Sequence, residues 1–147
     1  MPDSDLEIRL AVYRYFAENA RSPGLEEMCD IVGQSPEEVQ DAYRRLRARR
    51  LLVPSSDGRS IRMAPPFSGV ETQHRVYVGE RQYYGNCAWD AFGVIAALGG
   101  HGRVESRCEA TGEPLILSLT PSGPDDSSWR FHVVVPAAQW WNDIVFT

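Results

Sequence analysis

Two residues three positions apart, Cys87 and Asp90, are the best candidates for chemistry in this sequence. Asn86 is a favourable helix cap, so we expect Cys87 in the first turn of a helix, where backbone amides and the helix dipole stabilise a thiolate. A spacing of three residues brings the Asp90 carboxyl to the same face, and burial raises the pKa of such a carboxyl. A thiolate beside a carboxyl that holds a proton can bind a soft electrophile and then deliver the proton.

A structural interpretation of the same pair stays open, because a lone C-x-x-D spacing is a weak motif. Cys87 would then be a small core residue and Asp90 a hydrogen-bond acceptor. The three histidines, His74, His101 and His132, have no metal-ligand spacing, although His132 is a candidate to face the site. Four tryptophans fit either core and rim positions or an aromatic wall that shields a reactive thiol: Trp89, Trp129, Trp140 and Trp141.

The elements that must hold these residues are predicted from hydrophobic periodicity and turn residues. The apolar segment 88–98, which Gly99 and Gly100 end, is predicted to be a helix buried on nearly all sides. A two-residue turn at Gly79 and Glu80 predicts a hairpin before it. The predicted strands are 74–78, 81–84, 103–108, 115–120, 130–135 and 144–147, and a short helical piece begins at Pro136. These segments predict a mixed β-sheet core with one buried helix.

Three helices and a hairpin are predicted before this core. Apolar spacing and caps place helices at 6–20, 25–32 and 36–50, and strands at 51–53 and 59–63. Three helices followed by a hairpin is the order of a winged helix, whose third helix enters the major groove in DNA-binding members. The arginines of this third helix lie late in it and also fit a solvated basic face: Arg44, Arg45, Arg47, Arg49 and Arg50.

The proline-containing segment 64–69 is predicted to link the two parts of the chain. We therefore expect an α+β protein, with a three-helix winged-helix-like domain over residues 1–66 and an α/β core over residues 67–147. A chain of 147 residues fits two domains of this small size.

Composition and charge limit the partners and the compartment. The net charge of −5 makes the chain a poor general nucleic-acid binder, which leaves DNA binding through the third helix as a minor alternative. No apolar run approaches the roughly 20 residues of a membrane span, and the acidic start of the chain does not resemble a signal peptide. Cys29, Cys87 and Cys108 cannot all pair within one chain, so we expect free thiols and a cytoplasmic location.

Several linked segments resemble the alkylmercury lyase (organomercurial lyase) family. That family carries a C-A-x-D segment followed by V-E-S-x-C and A-T-G-x-P runs, after an amino-terminal winged-helix-like domain. The matching segments here are Tyr83–Ala91, Arg103–Cys108 and Ala110–Pro114, and the resemblance covers most of residues 70–147. Linked motifs at similar spacing are far more specific than the C-x-x-D pair alone.

The resemblance implies protonolysis of a carbon–mercury bond, in which cysteines capture the organomercurial and an aspartate moves the proton that releases the hydrocarbon. Cys87 matches the first family cysteine and Asp90 the aspartate. Cys108 matches a further cysteine that is mainly structural in the family, and it joins the other two as a metal ligand if its sulfur approaches that of Cys87. Soft thiolates suit the soft mercury ion.

No cofactor is implied, since Hg(II) is the bound product, and a mercuric reductase is the implied acceptor of that ion. The family's second catalytic cysteine is expected just after the segment matching 140–147, where this sequence ends. The alternative function is therefore a non-catalytic module derived from this fold, which binds soft metals or thiols, or acts as a winged-helix regulator.

Overall fold

The computed structural model of the protein describes residues 3–147, which form a mixed α+β structure with two antiparallel sheets. The helices are α1 (Asp3–Asn19), α2 (Leu25–Val32), α3 (Pro36–Ala48) and α4 (Ala88–Ala97), with a 3₁₀ helix at Ala137–Asn142. The strands are β1 (Val53–Pro54), β2 (Ile61–Ala64), β3 (Phe67–Ser68), β4 (Arg75–Val78), β5 (Arg81–Tyr84), β6 (Gly102–Arg107), β7 (Pro114–Thr120) and β8 (Gly123–Pro124). Within this part of the chain, no helix has the length and hydrophobicity of a membrane span.

The first three helices pack beside the three-stranded sheet β1-β2-β3. Helix α3 begins where the sequence predicts, because the Ser35 hydroxyl accepts from the Glu38 N–H while the Glu38 carboxylate accepts from the Ser35 N–H. One face of α3 enters the core through Val39, Ala42, Tyr43 and Leu46. Beside this face lies Arg45, which pairs at 2.6 Å with the fully buried carboxylate of Asp5 on α1.

The arginine-rich face of α3 is engaged largely within the protein. Arg45 is held by Asp5, Arg44 forms an ion pair with Asp41, and the Arg47 guanidinium lies 5.3 Å from the ring centroid of Trp141. Arg45 and Arg47 therefore contact other parts of the chain, whereas Arg44 pairs within its own helix.

The segment predicted to be a linker, 64–69, is instead part of a buried β-hairpin. Strands β2 and β3 pair with Ala64 opposite Phe67, and both residues are buried. The Phe67 ring stacks on Phe16 of α1 at 5.5 Å and lies 6.0 Å from the ring of Tyr83 on β5. The prediction of a linker was wrong because the apolar residues beside the prolines are core residues that join the two halves.

The second sheet has the strand order β5-β4-β6-β7-β8. The tight turn at Gly79 and Glu80 is present as predicted, with Val78 paired to Arg81. Helix α4 covers β4 and β6 with a single buried face, which consists of Ala91, Val94 and Ile95. The prediction of a buried helix holds for this face, but Trp89 on another side of α4 is 60% exposed, so the helix is not buried all round.

The predicted strands at 130–135 and 144–147 are absent from the described residues, and β7 pairs instead with β8. The Arg130 guanidinium donates to the backbone carbonyls of Ser127, Ser128 and Trp129, and the chain there is irregular. The short helical piece after Pro136 is the 3₁₀ helix, and the Trp140 indole N–H donates to Val135 O at 2.7 Å.

Phe67 packs against aromatic rings from both halves of the protein, so we expect the two halves to unfold together. We expect Phe67→Ala to lower the free energy of unfolding by about 3–5 kcal/mol, because it leaves a cavity among the Phe16, Tyr13 and Tyr83 rings. Phe146→Ala is the matched control, since Phe146 is 76% exposed and its loss should change stability by less than about 0.5 kcal/mol. Urea denaturation followed by circular dichroism measures both, and equal effects would contradict the shared core.

Candidate active site

A glycine at the end of β5 determines where α4 can start. Gly85 bridges to Phe67, and its N–H donates to His74 O at 2.9 Å. A Cβ atom at Gly85 would lie only 2.6 Å from the backbone nitrogen of Ala91 and 2.8 Å from its Cα. No other residue type fits this approach, so the chain passes directly from the sheet into the first turn of α4.

Cys87 is the N-cap of α4, one position later than the Asn86 cap predicted from sequence. Its backbone is extended and its sulfur accepts a hydrogen bond from the Asp90 N–H at 3.4 Å. The correction has a simple cause: Asn86 is turned away to a different partner, and the thiol takes the capping position that a hydroxyl or carboxylate usually fills.

Burial decides the acidity of the Cys87 thiol. Loss of water around this half-buried side chain raises the pKa of Cys87, and the negative charge of Asp90 adds to that increase. The N–H groups of Asp90 and Trp89 act in the opposite direction but are outweighed. The expectation of an unusually acidic thiol was therefore wrong, because desolvation exceeds the effect of the helix end.

Asp90 lies beside the thiol with its carboxyl partly removed from water. Burial raises the pKa of Asp90, as the sequence predicts, while a hydrogen bond from the Asn86 side chain partly opposes the increase. In that bond the Asn86 Nδ2 donates to Asp90 Oδ2 at 2.9 Å. Sequence reasoning assigned Asn86 only to capping and missed this contact with the carboxyl.

Cys108 follows β6 in a turn with different electrostatics. The Cys108 N–H donates to Glu113 O at 2.8 Å, and its carbonyl accepts from the Gly112 N–H. A hydrogen bond with the Thr111 side chain, together with the backbone N–H groups of Thr111 and Ala110, lowers the pKa of the Cys108 thiol. Of these two cysteines, Cys108 is therefore the more acidic.

One cavity of about 930 Å³ brings the three predicted site residues together. Cys87 and Asp90 reach it from the start of α4, and Cys108 reaches it from the turn after β6. Aromatic side chains of the carboxy-terminal segment form much of its wall: Trp129, Phe131, Trp140, Trp141 and Phe146. Trp89 lies outside this lining, although its ring centroid is 5.7 Å from that of Phe131.

The cavity does not contain a compact cage for a metal ion. Across residues 3–147, no group of three or more His, Cys, Asp or Glu side chains is close enough to hold one ion. Cys87, Asp90 and Cys108 thus share a cavity without forming a preorganised three-ligand site. Their role as a set of mercury ligands stays a prediction.

Two histidines also line the cavity. His74 Nδ1 lies 2.7 Å from the Ser106 hydroxyl, and burial lowers the pKa of His74, which favours the neutral ring. His132 faces the cavity as predicted, but from irregular chain rather than from a strand. The sequence signal for His74 was its place at the start of the predicted strand 74–78, whereas the contribution of Tyr13 from α1 is a non-local contact without a sequence signal.

The opposite shifts of the two thiols predict different alkylation profiles. With iodoacetamide, Cys108 should react at lower pH than Cys87, because only the thiolate attacks and the pKa of Cys108 is lowered while that of Cys87 is raised. Peptide mass spectrometry across a pH series measures each site. Thr111→Val should move the Cys108 midpoint upwards and leave Cys87 unchanged, and a more acidic Cys87 would refute the assignment.

The burial of Asp90 predicts a pH-dependent cost to stability. Its pKa in the folded state lies above the unfolded value, so its favourable contribution exists below the unfolded pKa and is lost as pH rises through the folded pKa. Asp90→Asn keeps an acceptor for Asn86 and cannot ionise, so its stability relative to the parent should increase as pH rises from about 4.

The control variant is expected to show the opposite pH dependence of stability. A hydrogen bond from the Ser55 hydroxyl and one from the Arg59 N–H lower the pKa of Asp57, so Asp57→Asn should lose stability relative to the parent as pH rises. Urea midpoints between about pH 3 and pH 8 test both variants, because the Asp57 effect develops at and below the unfolded pKa of about 4 and the Asp90 effect above it. Parallel pH dependence of the two would contradict the burial of Asp90.

Comparison with known proteins gives consistent matches. Alkylmercury lyases of Bacillus cereus and Clostridium butyricum are each 29% identical over 97 residues, which is 66% of this chain and 42% of those proteins. The alkylmercury lyase of Pseudomonas putida is 43% identical over 51 residues, which is 35% of this chain and 24% of that protein. The chain thus spans less than half the length of these relatives.

A solved structure shares the fold. The crystal structure of the mercury-bound form of MerB2 superposes with a TM-score of 0.68 at 21% identity, covering 86% of this chain and 60% of that one. The sequence model of the alkylmercury lyase (MerB) family matches residues 67–147, which is more than half of the chain. The protein therefore belongs to the alkylmercury lyase family.

Proposed function

We propose that the cavity around Cys87 and Asp90 is the active site of an organomercurial lyase, which protonates the carbon of a carbon–mercury bond. One observation carries the proposal: a thiol and a partly buried carboxyl share the first turn of α4 and face the same cavity. Membership of the alkylmercury lyase family supports it.

The first step forms a sulfur–mercury bond. The raised pKa of Cys87 keeps its thiol protonated until a soft electrophile arrives. As the sulfur binds mercury, the thiol proton passes to the neighbouring Asp90 carboxylate, whose raised pKa makes it a better acceptor than an ordinary aspartate. The group that mercury carried before, such as a small thiolate, leaves into solution.

The second step breaks the carbon–mercury bond. The proton held by Asp90 moves to the carbon, and the electron pair of the carbon–mercury bond becomes the new carbon–hydrogen bond. The hydrocarbon leaves, Hg(II) stays on the Cys87 thiolate, and Asp90 is again ionised. This sequence consumes one proton and needs no organic cofactor.

Cys108 is proposed as a second sulfur ligand for the Hg(II) product. It lines the same cavity, and its lowered pKa increases the fraction of thiolate. The ion would then pass to a solution thiol or to a mercuric reductase. The aromatic wall suits an apolar organic group on the mercury.

The proposal also covers the domain organisation and the location of the protein. We propose that residues 1–66 form a winged-helix-like domain attached to the lyase core at 67–147, which is supported by three helices packed beside a small antiparallel sheet. A reducing, cytoplasmic location is supported by Cys29, Cys87 and Cys108, which are all free thiols.

A single-turnover assay tests the proposed activity. Reduced protein is mixed with phenylmercury and excess thiol, and the released benzene and bound mercury are quantified. Asp90→Asn should lower benzene release by at least about a hundredfold while mercury still binds, because it removes the proton carrier. Cys87→Ser should abolish release, and Cys108→Ser should mainly weaken retention of Hg(II).

Cys29→Ser is the matched control, because Cys29 lies on α2 and is absent from the cavity lining. Its release rate should equal that of the parent. Stoichiometric mercury binding without benzene from the parent protein would instead favour a soft-metal-binding module that uses the same thiols.

A further inference from the structure

The side chain of Asn86 connects the catalytic turn to the hairpin that joins the two halves of the protein. Its Nδ2 lies 2.9 Å from Asp90 Oδ2, 3.1 Å from Phe67 O and 3.4 Å from Pro66 O. All three neighbours are acceptors, so the amide nitrogen rather than its oxygen must face them. One amide hydrogen serves the carboxyl, and the other is shared by the two carbonyls.

We infer that Asn86 is a positioning residue, which holds the Asp90 carboxyl in the orientation from which it moves the proton; this inference rests on the proposed lyase function. The amide engages Oδ2 alone. Among the described residues, Asp90 Oδ1 has no hydrogen-bond partner, which leaves that oxygen to carry the proton between the thiol and the carbon.

Asn86 is itself fixed from both sides. The residue before it, Gly85, bridges to Phe67 and donates its N–H to His74 O at 2.9 Å. The residue after it, Cys87, begins α4. The amide therefore transmits the position of the β3 backbone to the carboxyl of Asp90, rather than following the carboxyl as it moves.

The oxygen of the Asn86 amide is in an unfavourable environment. Asn86 Oδ1 is buried and has no hydrogen-bond partner among the described residues. A buried acceptor without a partner is unfavourable by about 1–3 kcal/mol, and a purely structural position is better filled by a residue without that atom. The hydrogen bonds that Asn86 Nδ2 donates to Asp90, Phe67 and Pro66 offset this cost.

Removing the donor while keeping the side-chain size gives the sharpest test. In Asn86→Leu, benzene release per captured mercury should slow by about tenfold to a hundredfold, which is the usual effect of losing a residue that orients a reacting group. The amount of phenylmercury bound at equilibrium should match that of the parent, because the Cys87 sulfur and its hydrogen bond from the Asp90 N–H remain. Unequal effects on capture and release distinguish positioning from general damage to the fold.

Thr72→Val is the control within the same loop, since it removes the bond to Gly85 O without touching Asp90. It should lower stability and leave release per captured mercury unchanged. Equal slowing of release in Thr72→Val and Asn86→Leu would overturn the inference, as would an Asn86→Leu protein that releases benzene at the parent rate.

Crystal structures of the parent and of Asn86→Leu decide the inference independently of activity. The Asp90 carboxyl should leave its parent rotamer in the variant, and an unchanged rotamer would overturn the inference. A parent protein that captures mercury without releasing benzene would refute the proposed function, while the rotamer comparison still tests the positioning. If Asn86→Leu does not fold, the parent's Asn86 side-chain amide resonances replace the comparison: Asp90→Ala should shift one of them, and no shift would overturn the inference.

Discussion

The contact between the Gly85 backbone and the first turn of α4 is the constraint on which the site depends. Because no Cβ fits between Gly85 and Ala91, the helix starts directly against the sheet, and its first residues have little freedom. That start places the Cys87 sulfur on the Asp90 N–H and turns the Asn86 amide towards the carboxyl. A cysteine, a carboxyl and an amide donor are thereby oriented by one close approach of backbone to backbone.

The same close packing sets the electrostatics of the site. A helix N-terminus favours negative charge, but here the helix end is covered, and desolvation raises the pKa of both Cys87 and Asp90. A protein that binds soft electrophiles through a permanent thiolate would need a lowered cysteine pKa instead. Two neighbouring groups with raised pKa values instead suit a site in which a proton is retained, moved from sulfur to oxygen and then used. Cys108, whose turn supplies donors to its sulfur, differs from both.

Local signals predicted much of this fold, and non-local packing limited the rest. The cap at Ser35 and the turn at Gly79 are set by neighbouring residues, and both are present. The segment 130–135 was predicted to be a strand, because its composition does not distinguish side chains that line a cavity from side chains on a sheet. The apolar composition of α4 likewise does not indicate which side of the helix packs against the sheet. Cys87 and Asp90 were proposed from their spacing together with the linked segments around them, but the contacts of Asn86 involve carbonyls 19 and 20 residues earlier.

Those carbonyls belong to the hairpin that connects the amino-terminal helices to the core, so the two halves cannot act independently at the site. The Tyr13 hydroxyl of α1 donates to Pro65 O at 3.0 Å, and the next carbonyl, Pro66 O, accepts from Asn86. A continuous series of contacts thus runs from α1 through the hairpin and Asn86 to the carboxyl of Asp90. Tyr13 also lines the cavity itself. The first three helices therefore have a structural reason to accompany the core that does not require them to bind DNA: they form part of the wall and fix the hairpin that orients the carboxyl.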